Sequence, residues 1–408
     1  MPRFNALDGT NGQTRVAIVA AGIVSPLGAG LEQTLMSLRN AADCVTAVTR
    51  FDVTNCRCKT SAQIPDKLLQ HALPIGRNRA RLHRASHMMI TALDEMRRFD
   101  PEFDPELTVI GTTSGGMSFG EDYYRALYRH HDLRHSPEWI ANYPPQKPVL
   151  DAQQAFGIGA PCFVIANACA SGTNAIGHAF ESVRSGRYER VLTGGYDAIS
   201  ELVFVGFDSL QAATPEKCRP FDRNRSGMVL GEGAAILALE NLESARKREA
   251  QILGEIIGYG ISTDNHHLTQ PDPSGSGPLR AMGRALQSAR RSPMEVDYIN
   301  AHGTATPLND AAEGRAIAQL FGSVPVSSTK SMIGHSLGAA GAIEAIVCLL
   351  ALKAQFLPPN INFEAPDPDL SLNIVANKSR QAKIDIVLSN SFGFGGTNAS
   401  VLLQKLAA

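Results

Sequence analysis

Neither sign of charge dominates this sequence. Lys and Arg number 38, Asp and Glu 39, and the formal net charge is −1 over 408 residues. Bulk electrostatics therefore gives no support to a general affinity for nucleic acid or for an anionic membrane surface. A disulfide framework is also missing. The seven cysteines (Cys44, Cys56, Cys58, Cys162, Cys169, Cys218 and Cys348) are odd in number and scattered. Cys56-x-Cys58 is the only close pair, with no second pair at zinc-site spacing. This pattern implies a reducing compartment and no structural metal. Long hydrophobic runs are absent too. The polar start, MPRFNALDGTNGQTR, has no apolar signal region, Val16 to Val24 is short, and Ala345 to Leu352 falls far below a membrane span. A cytoplasmic protein is expected, with neither nucleic acid nor membrane as partner. Phosphate loops are lacking as well. Gly111-Thr-Thr-Ser-Gly-Gly116 and Gly231-Glu-Gly233 match neither nucleotide-binding glycine pattern, so no nucleotide cofactor is expected.

What remains is an ordinary globular composition, 44% hydrophobic and 19% charged, in a chain long enough for two domains or one duplicated core. Residues 1–14 read as a loose extension. Short apolar strands are expected at Val16–Ala21, Leu107–Gly111, Cys162–Ala166, Arg190–Gly194, Val229–Glu240, Gln251–Gly260, Val296–Asn300, Pro325–Ser328, Ile384–Ser389 and Ala399–Gln404. Helices are expected between several of them, at Leu31–Asn40, Asp310–Phe321 and Leu337–Lys353 among others. Residues 41–107, polar and arginine-rich, read as an insertion outside the core apart from the strand that closes them, and 120–148 as peripheral. Alternating strands and helices imply an α/β protein.

A faint internal repeat refines this. Cys162–Ala179 runs strand, Cys169-x-x-Gly172, then a helix rich in Ala and Gly. Pro325–Ala345 runs strand, His335-x-x-Gly338, then Ala-Ala-Gly-Ala-Ile-Glu-Ala. A true duplication would bring Cys169 and His335 to equivalent positions around a pseudo-twofold axis. A division into halves 15–248 and 249–408 follows, the first carrying Cys169 and the second the histidines.

Cys169 stands at the start of a helix, where backbone N–H groups favour a thiolate, and its neighbours are small. A packed core cysteine is the alternative. His302, in Asn300-Ala-His-Gly-Thr-Ala-Thr-Pro307, follows a strand and opens a turn. His335 lies at a helix N-terminus, which biases imidazole to its neutral form. A neutral imidazole donates a hydrogen bond to a developing oxyanion and suits a thiolate nucleophile. The turn Asn390-Ser-Phe-Gly-Phe-Gly-Gly-Thr-Asn398 reads either as an oxyanion nest or as a tight turn. Arg77, Arg79, Arg81 and Arg84 form the densest basic run, either a solvated face or a docking patch for an acidic partner.

Five ordered motifs carry a family resemblance: Ala168-Cys-Ala-Ser-Gly172, Arg219-Pro-Phe-Asp222 with Gly231-Glu-Gly233, Asn300–Pro307, Lys330–Gly341 and Asn390–Asn398. From about Val16 onward the chain resembles the β-ketoacyl–acyl carrier protein synthases, in the elongating branch with a Cys-His-His site. The resemblance implies a thiolase-like fold with duplicated halves layered α-β-α-β-α. It implies decarboxylative Claisen condensation of an acyl group on Cys169 with malonyl-carrier protein. The backbone N–H groups of Cys169 and Phe394 would form the oxyanion hole, and His302 and His335 would stabilise the enolate. Lys330 would hold the site electrostatically together with a supporting Glu313. Thr304 and Thr306 would contact the phosphopantetheine arm, and Phe392 and Phe394 would gate the site. Arg77 to Arg84 would belong to the carrier-docking surface. No metal or organic cofactor is implied, since phosphopantetheine arrives on the carrier, and the resemblance implies a homodimer.

Two positions depart from the family pattern. Ser226 stands where an acidic residue is common, and Ser114 where relatives line an acyl channel with an apolar residue or Gly. A coenzyme A thiolase is disfavoured because the C-terminal glycine turn has no second cysteine. A chain-length factor is disfavoured because Cys169 and both histidines are present. A ketosynthase dedicated to a specialised lipid or polyketide stays open beside fatty-acid elongation.

Overall fold

The computed structural model describes residues 14–69, 82–130, 140 and 142–406. Ten strands form its framework: β1 (Val16–Ser25), β2 (Leu107–Gly111), β3 (Cys162–Ile165), β4 (Arg190–Asp197), β5 (Gly233–Asn241), β6 (Gly254–Thr263), β7 (Tyr298–Asn300), β8 (Pro325–Ser327), β9 (Ile386–Gly393) and β10 (Thr397–Gln404). In space the order is β3-β2-β4-β5-β1, then β6-β10-β9-β7-β8. Read outward from β1 and from β6, the two runs are the same. In each, the second of the five strands in the chain pairs in parallel with the third and fourth. The fourth pairs antiparallel with the fifth, and the fifth with the first. The repeat glimpsed around Cys169 and His335 is thus a duplication of the whole topology. Val16–Ile18 of β1 pairs antiparallel with Gly254–Ile256 of β6 and joins the two runs.

Burial explains the layering. All ten residues of β1 are buried, as expected for a strand covered on both faces. Between the two runs lie α5 (Ser171–Arg184) and α9 (Ala340–Ala354), which contact each other and the strands on either side. Residues Ala340 to Leu352 of α9 are all buried, and a helix apolar all round belongs in a central layer. With its preceding turn, this helix is long and apolar enough to cross a membrane, yet 89% of that window is buried inside the protein. It is a core helix. Outer layers are α2 (Arg84–Phe99) against β1 and β5, and α7 (Ser276–Ala289) against β6 and β10. The arrangement is α-β-α-β-α.

One expectation fails here. Residues 41–107 are not an insertion outside the core. Met88, Met89, Ile90, Ala92, Leu93 and Met96 of α2 are buried against β1 and its neighbours. The arginines that flank this helix masked its apolar face. Three further helices went unread, over Met117–His130, Lys147–Ala155 (α4) and Glu201–Ser209 (α6). α1 (Leu31–Arg39), α3 (Met117–His130) and α8 (Pro307–Phe321) complete the set used below.

Candidate active site

Cys169 sits between β3 and α5. Ala168, just before it, has φ +57°, a conformation that is strained for a residue with a Cβ. Three bonds hold the turn. The Ser171 hydroxyl donates to the Ala168 carbonyl and accepts from the Asn167 N–H at 3.0 Å, and the Thr113 hydroxyl donates to the same carbonyl at 3.1 Å. Gly393 lies opposite, and a Cβ there would come within 3.1 Å of the Cys169 nitrogen. Glycine at this position lets the C-terminal turn close onto the cysteine. The N–H groups of Phe394 and of Cys169 itself consequently face the sulfur and favour its thiolate. They are outweighed. Burial pushes the thiol up to about 11, with the nearby Lys330 ammonium acting in the opposite direction. The helix N-terminus thus does not yield a resting thiolate, because desolvation is the larger effect.

His302 lies in the turn after β7. Its N–H and that of Gly303 donate to the two carboxylate oxygens of Glu313, each at 2.8 Å. Asn390 donates to the same carboxylate at 3.1 Å, and burial raises Glu313 to about 7. His335 is fixed by its backbone. Its N–H donates to the Val229 carbonyl at 2.7 Å, and its carbonyl accepts from Gly231 at 2.9 Å. Gly231 therefore acts as a backbone strut, and a Cβ there would strike the Ile333 carbonyl at 2.3 Å. The two imidazoles meet edge to face with centroids 5.2 Å apart. Among the described residues, neither ring nitrogen of His335, nor Nδ1 of His302, has a hydrogen-bond partner. Buried ring nitrogens without partners are costly unless a ligand meets them. Burial, reinforced by Lys330, holds both imidazoles well below their usual range, so both are neutral at pH 7. For His335 the cause is burial and a cation rather than a helix terminus.

Lys330 does not pair with Glu313. Its ammonium binds Glu344 of α9, and both side chains are 1% exposed. Glu313 is instead occupied by the backbone of the His302 turn. Spacing alone could not separate two glutamates that both lie on helices following a candidate histidine.

A cavity of about 320 Å³ opens onto Cys169, His302 and His335. Thr304 and Thr306 line it, their hydroxyls 2.9 Å apart, as do Phe392 and Phe394. Phe392 is buried within β9, its ring 5.9 Å from that of His302. Phe394 begins the turn beyond the strand and stacks on Phe207 of α6 at 5.6 Å. Phe207 went unnoticed in the sequence because α6 did.

Arg84 is turned inward. Its guanidinium, 13% exposed, grips the fully buried Glu232 and also pairs with Asp66. Arg77, Arg79 and Arg81 lie outside the described residues. Ser226 is matched by a hydroxyl contact with Thr214 at 2.7 Å. Ser114 does not line the cavity; its hydroxyl and N–H both donate to buried Asp197. Asp197 was likewise not singled out from the sequence.

The family described as "Beta-ketoacyl synthase, N-terminal domain" matches residues 13–245, and "Beta-ketoacyl synthase, C-terminal domain" matches residues 253–364. A Synechocystis sp. protein named 3-oxoacyl-[acyl-carrier-protein] synthase 2 is 37% identical over 415 residues, covering 96% of this chain and 98% of that one. Among solved structures, the ishigamide ketosynthase/chain length factor superposes with a TM-score of 0.89 at 32% identity, covering 97% of this chain and 100% of that one. A type II polyketide ketosynthase, bound to its acyl-carrier protein and a hexaketide, superposes at 0.87 with 26% identity over 97% and 100% of the two chains.

Proposed function

The chain belongs to the β-ketoacyl synthase family, and from that premise we propose that it condenses an acyl group held on Cys169 with malonyl-carrier protein to give 3-oxoacyl-carrier protein in fatty-acid elongation. The single observation that carries this reading is a buried thiol facing two neutral imidazoles, with Nδ1 of His302 and both ring nitrogens of His335 left without a partner among the described residues.

Cys169 Sγ attacks the carbonyl carbon of the acyl-carrier thioester. The oxyanion meets the N–H groups of Cys169 and Phe394, the carrier thiol departs, and the Cys169 proton leaves with it. The malonyl thioester then enters. Its C–CO2 bond breaks, CO2 leaves, and the electron pair becomes an enolate. A neutral imidazole N–H from each of His302 and His335 stabilises the enolate oxygen. A charged imidazolium is not needed, and the adjacent Lys330 ammonium opposes one. The enolate carbon attacks the Cys169 thioester, a C–C bond forms, and Sγ is expelled as a thiolate that takes one proton from solvent. No metal or organic cofactor enters this balance. The carrier supplies the pantetheine arm, for which Thr304 and Thr306 at the cavity wall are suitable contacts.

A carrier protein is the proposed partner, supported by the relative solved with its own carrier. Pairing of two copies into a homodimer is also proposed. Among the described residues the edge strand β3 pairs only with β2, and Phe163 on it is 60% exposed; unpaired edges invite a second strand. A cytoplasmic setting completes the proposal and is consistent with seven free cysteines.

The likeness to a type II polyketide ketosynthase favours one second reading, a specialised pathway. Incubation with a panel of acyl-carrier proteins and malonyl-carrier protein tests both. Elongation reads out as 3-oxoacyl-carrier and CO2 in equal amounts from saturated acyl carriers. Condensation confined to unsaturated or oxo-substituted chains supports the specialised reading, and failure with every acyl carrier contradicts both.

A further inference from the structure

The end of β4 places one carboxylate where four backbone segments converge. A Cβ on Gly111 would strike Ser171 backbone at 2.3 Å, and one on Gly172 would strike the Gly338 carbonyl at 2.7 Å. Cβ atoms on Gly195 and Gly338 would meet the Gly338 carbonyl at 2.8 Å and Thr112–Thr113 backbone at 2.5 Å. The two halves therefore touch on bare backbone, immediately beyond Cys169 on one side and His335 on the other.

Such contact leaves polar groups to satisfy, and Asp197, fully buried, takes five of them. Oδ1 accepts from the Thr112 hydroxyl at 2.9 Å, the Ser114 N–H at 2.8 Å and the Ser114 hydroxyl at 2.6 Å. Oδ2 accepts from the Thr113 N–H at 2.8 Å and the Gly338 N–H at 2.6 Å. Thr113 passes this constraint on through its hydroxyl to the carbonyl of Ala168, the positive-φ residue before Cys169. Gly338 follows His335 by three residues in the turn that opens α9.

We propose that Asp197 is a positioning residue for the condensation, a carboxylate that ties the Cys169 turn to the His335 segment across the junction of the two halves. The proposal rests on Cys169 being the acyl acceptor. A carboxylate suits the place because both oxygens face donors, whereas an amide would turn an NH2 toward N–H groups. Misplacing a reacting atom by about 1 Å costs roughly 100-fold in rate. The same charge also bears on the thiol. Of the charged and titratable groups around Cys169, His302, His335 and Asp264 line the same cavity, while Asp197 opposes its ionisation and Lys330 favours it.

The test uses the full chain and iodoacetamide labelling of Cys169 across pH, beside the rate of acyl transfer from acyl-carrier protein. Asp197→Asn is expected to move the pH at which labelling reaches a set rate downward and to slow acyl transfer by about 100-fold. Asp197→Glu, which keeps the charge, is expected to return the labelling profile toward that of the native chain while acyl transfer stays impaired. A folded Asp197→Asn protein with an unmoved labelling profile overturns the proposal, since a purely structural role would leave the thiol's titration alone. Should Asp197→Asn not fold, Thr113→Val decides. It removes only the hydroxyl link to Ala168 at an exposed position and is expected to slow acyl transfer about tenfold; an unchanged rate overturns the proposal. Labelling needs no carrier, so a native chain that accepts no acyl group would defeat the condensation reading while the profiles still judged Asp197.

Discussion

Replacing Lys330 by Met removes one half of an ion pair in which both side chains are 1% exposed. The other half, Glu344, then lies buried with one oxygen already unpartnered among the described residues. Deleting one partner of a buried pair costs about 3–5 kcal/mol, because an uncompensated charge is left behind. The pH dependence has a definite sign. Burial already raises Glu344 to about 7, and losing the ammonium, which acts in the opposite direction, raises it further. A carboxyl whose folded pKa lies above its unfolded value binds its proton more tightly when folded, so stability increases as pH falls through the folded pKa. Chemical denaturation followed by circular dichroism should therefore show Lys330→Met far less stable than the native chain at pH 8.5 and closer to it at pH 6. Lys330→Met/Glu344→Leu should recover much of the loss, since apolar groups of similar volume replace buried pairs with little penalty. Activity should not recover with it, because the ammonium also faces both imidazoles and the Cys169 thiol. A single variant as stable as the native chain, with no dependence on pH, would refute this reasoning.

Three further outcomes follow from the same geometry. Glu313→Ala leaves the N–H groups of His302 and Gly303 and the Asn390 amide without their acceptor, at about 1–3 kcal/mol per buried group; the release of 14CO2 from malonyl-carrier protein should fall with it. Gly172→Ala drives a methyl within 2.7 Å of the Gly338 carbonyl and 2.9 Å of the Ala342 nitrogen, so the melting temperature should drop by an amount matching an overpacked core, about 1–3 kcal/mol or more. Arg84→Ala uncovers Glu232 and should destabilise the fold by about 3–5 kcal/mol, with KM for carrier protein unchanged in whatever fraction remains folded.

Period and spacing made the alternation of strands and helices legible, because β1 and α9 are apolar on every side. The duplication was legible only where both halves carried a reactive residue in a turn followed by small residues. Its full extent needed the strand order, which depends on pairings far apart in the chain. Cys169, His302 and His335 stood out because polar, reactive residues sat among Gly, Ala and Ser. Their protonation did not, since it depends on burial and on Lys330, which is distant in sequence from Cys169. Arg84 shows the opposite failure. Its basic neighbours suggested a surface, whereas a single carboxylate at Glu232 draws it inward. Asp197 and Phe207 escaped notice for a related reason. Nothing in their local sequence reveals the five donors around the first or the Phe394 ring against the second.

The central claim, that Cys169 carries the acyl chain between two half-reactions, is tested most directly by mass spectrometry of the intact chain and its peptides after incubation with acyl-carrier protein. The prediction is one added acyl group per chain, mapped to the peptide containing Cys169, and its disappearance with formation of 3-oxoacyl-carrier when malonyl-carrier protein is added. An acyl group on any other cysteine, or one on Cys169 that malonyl-carrier protein cannot discharge, would contradict it.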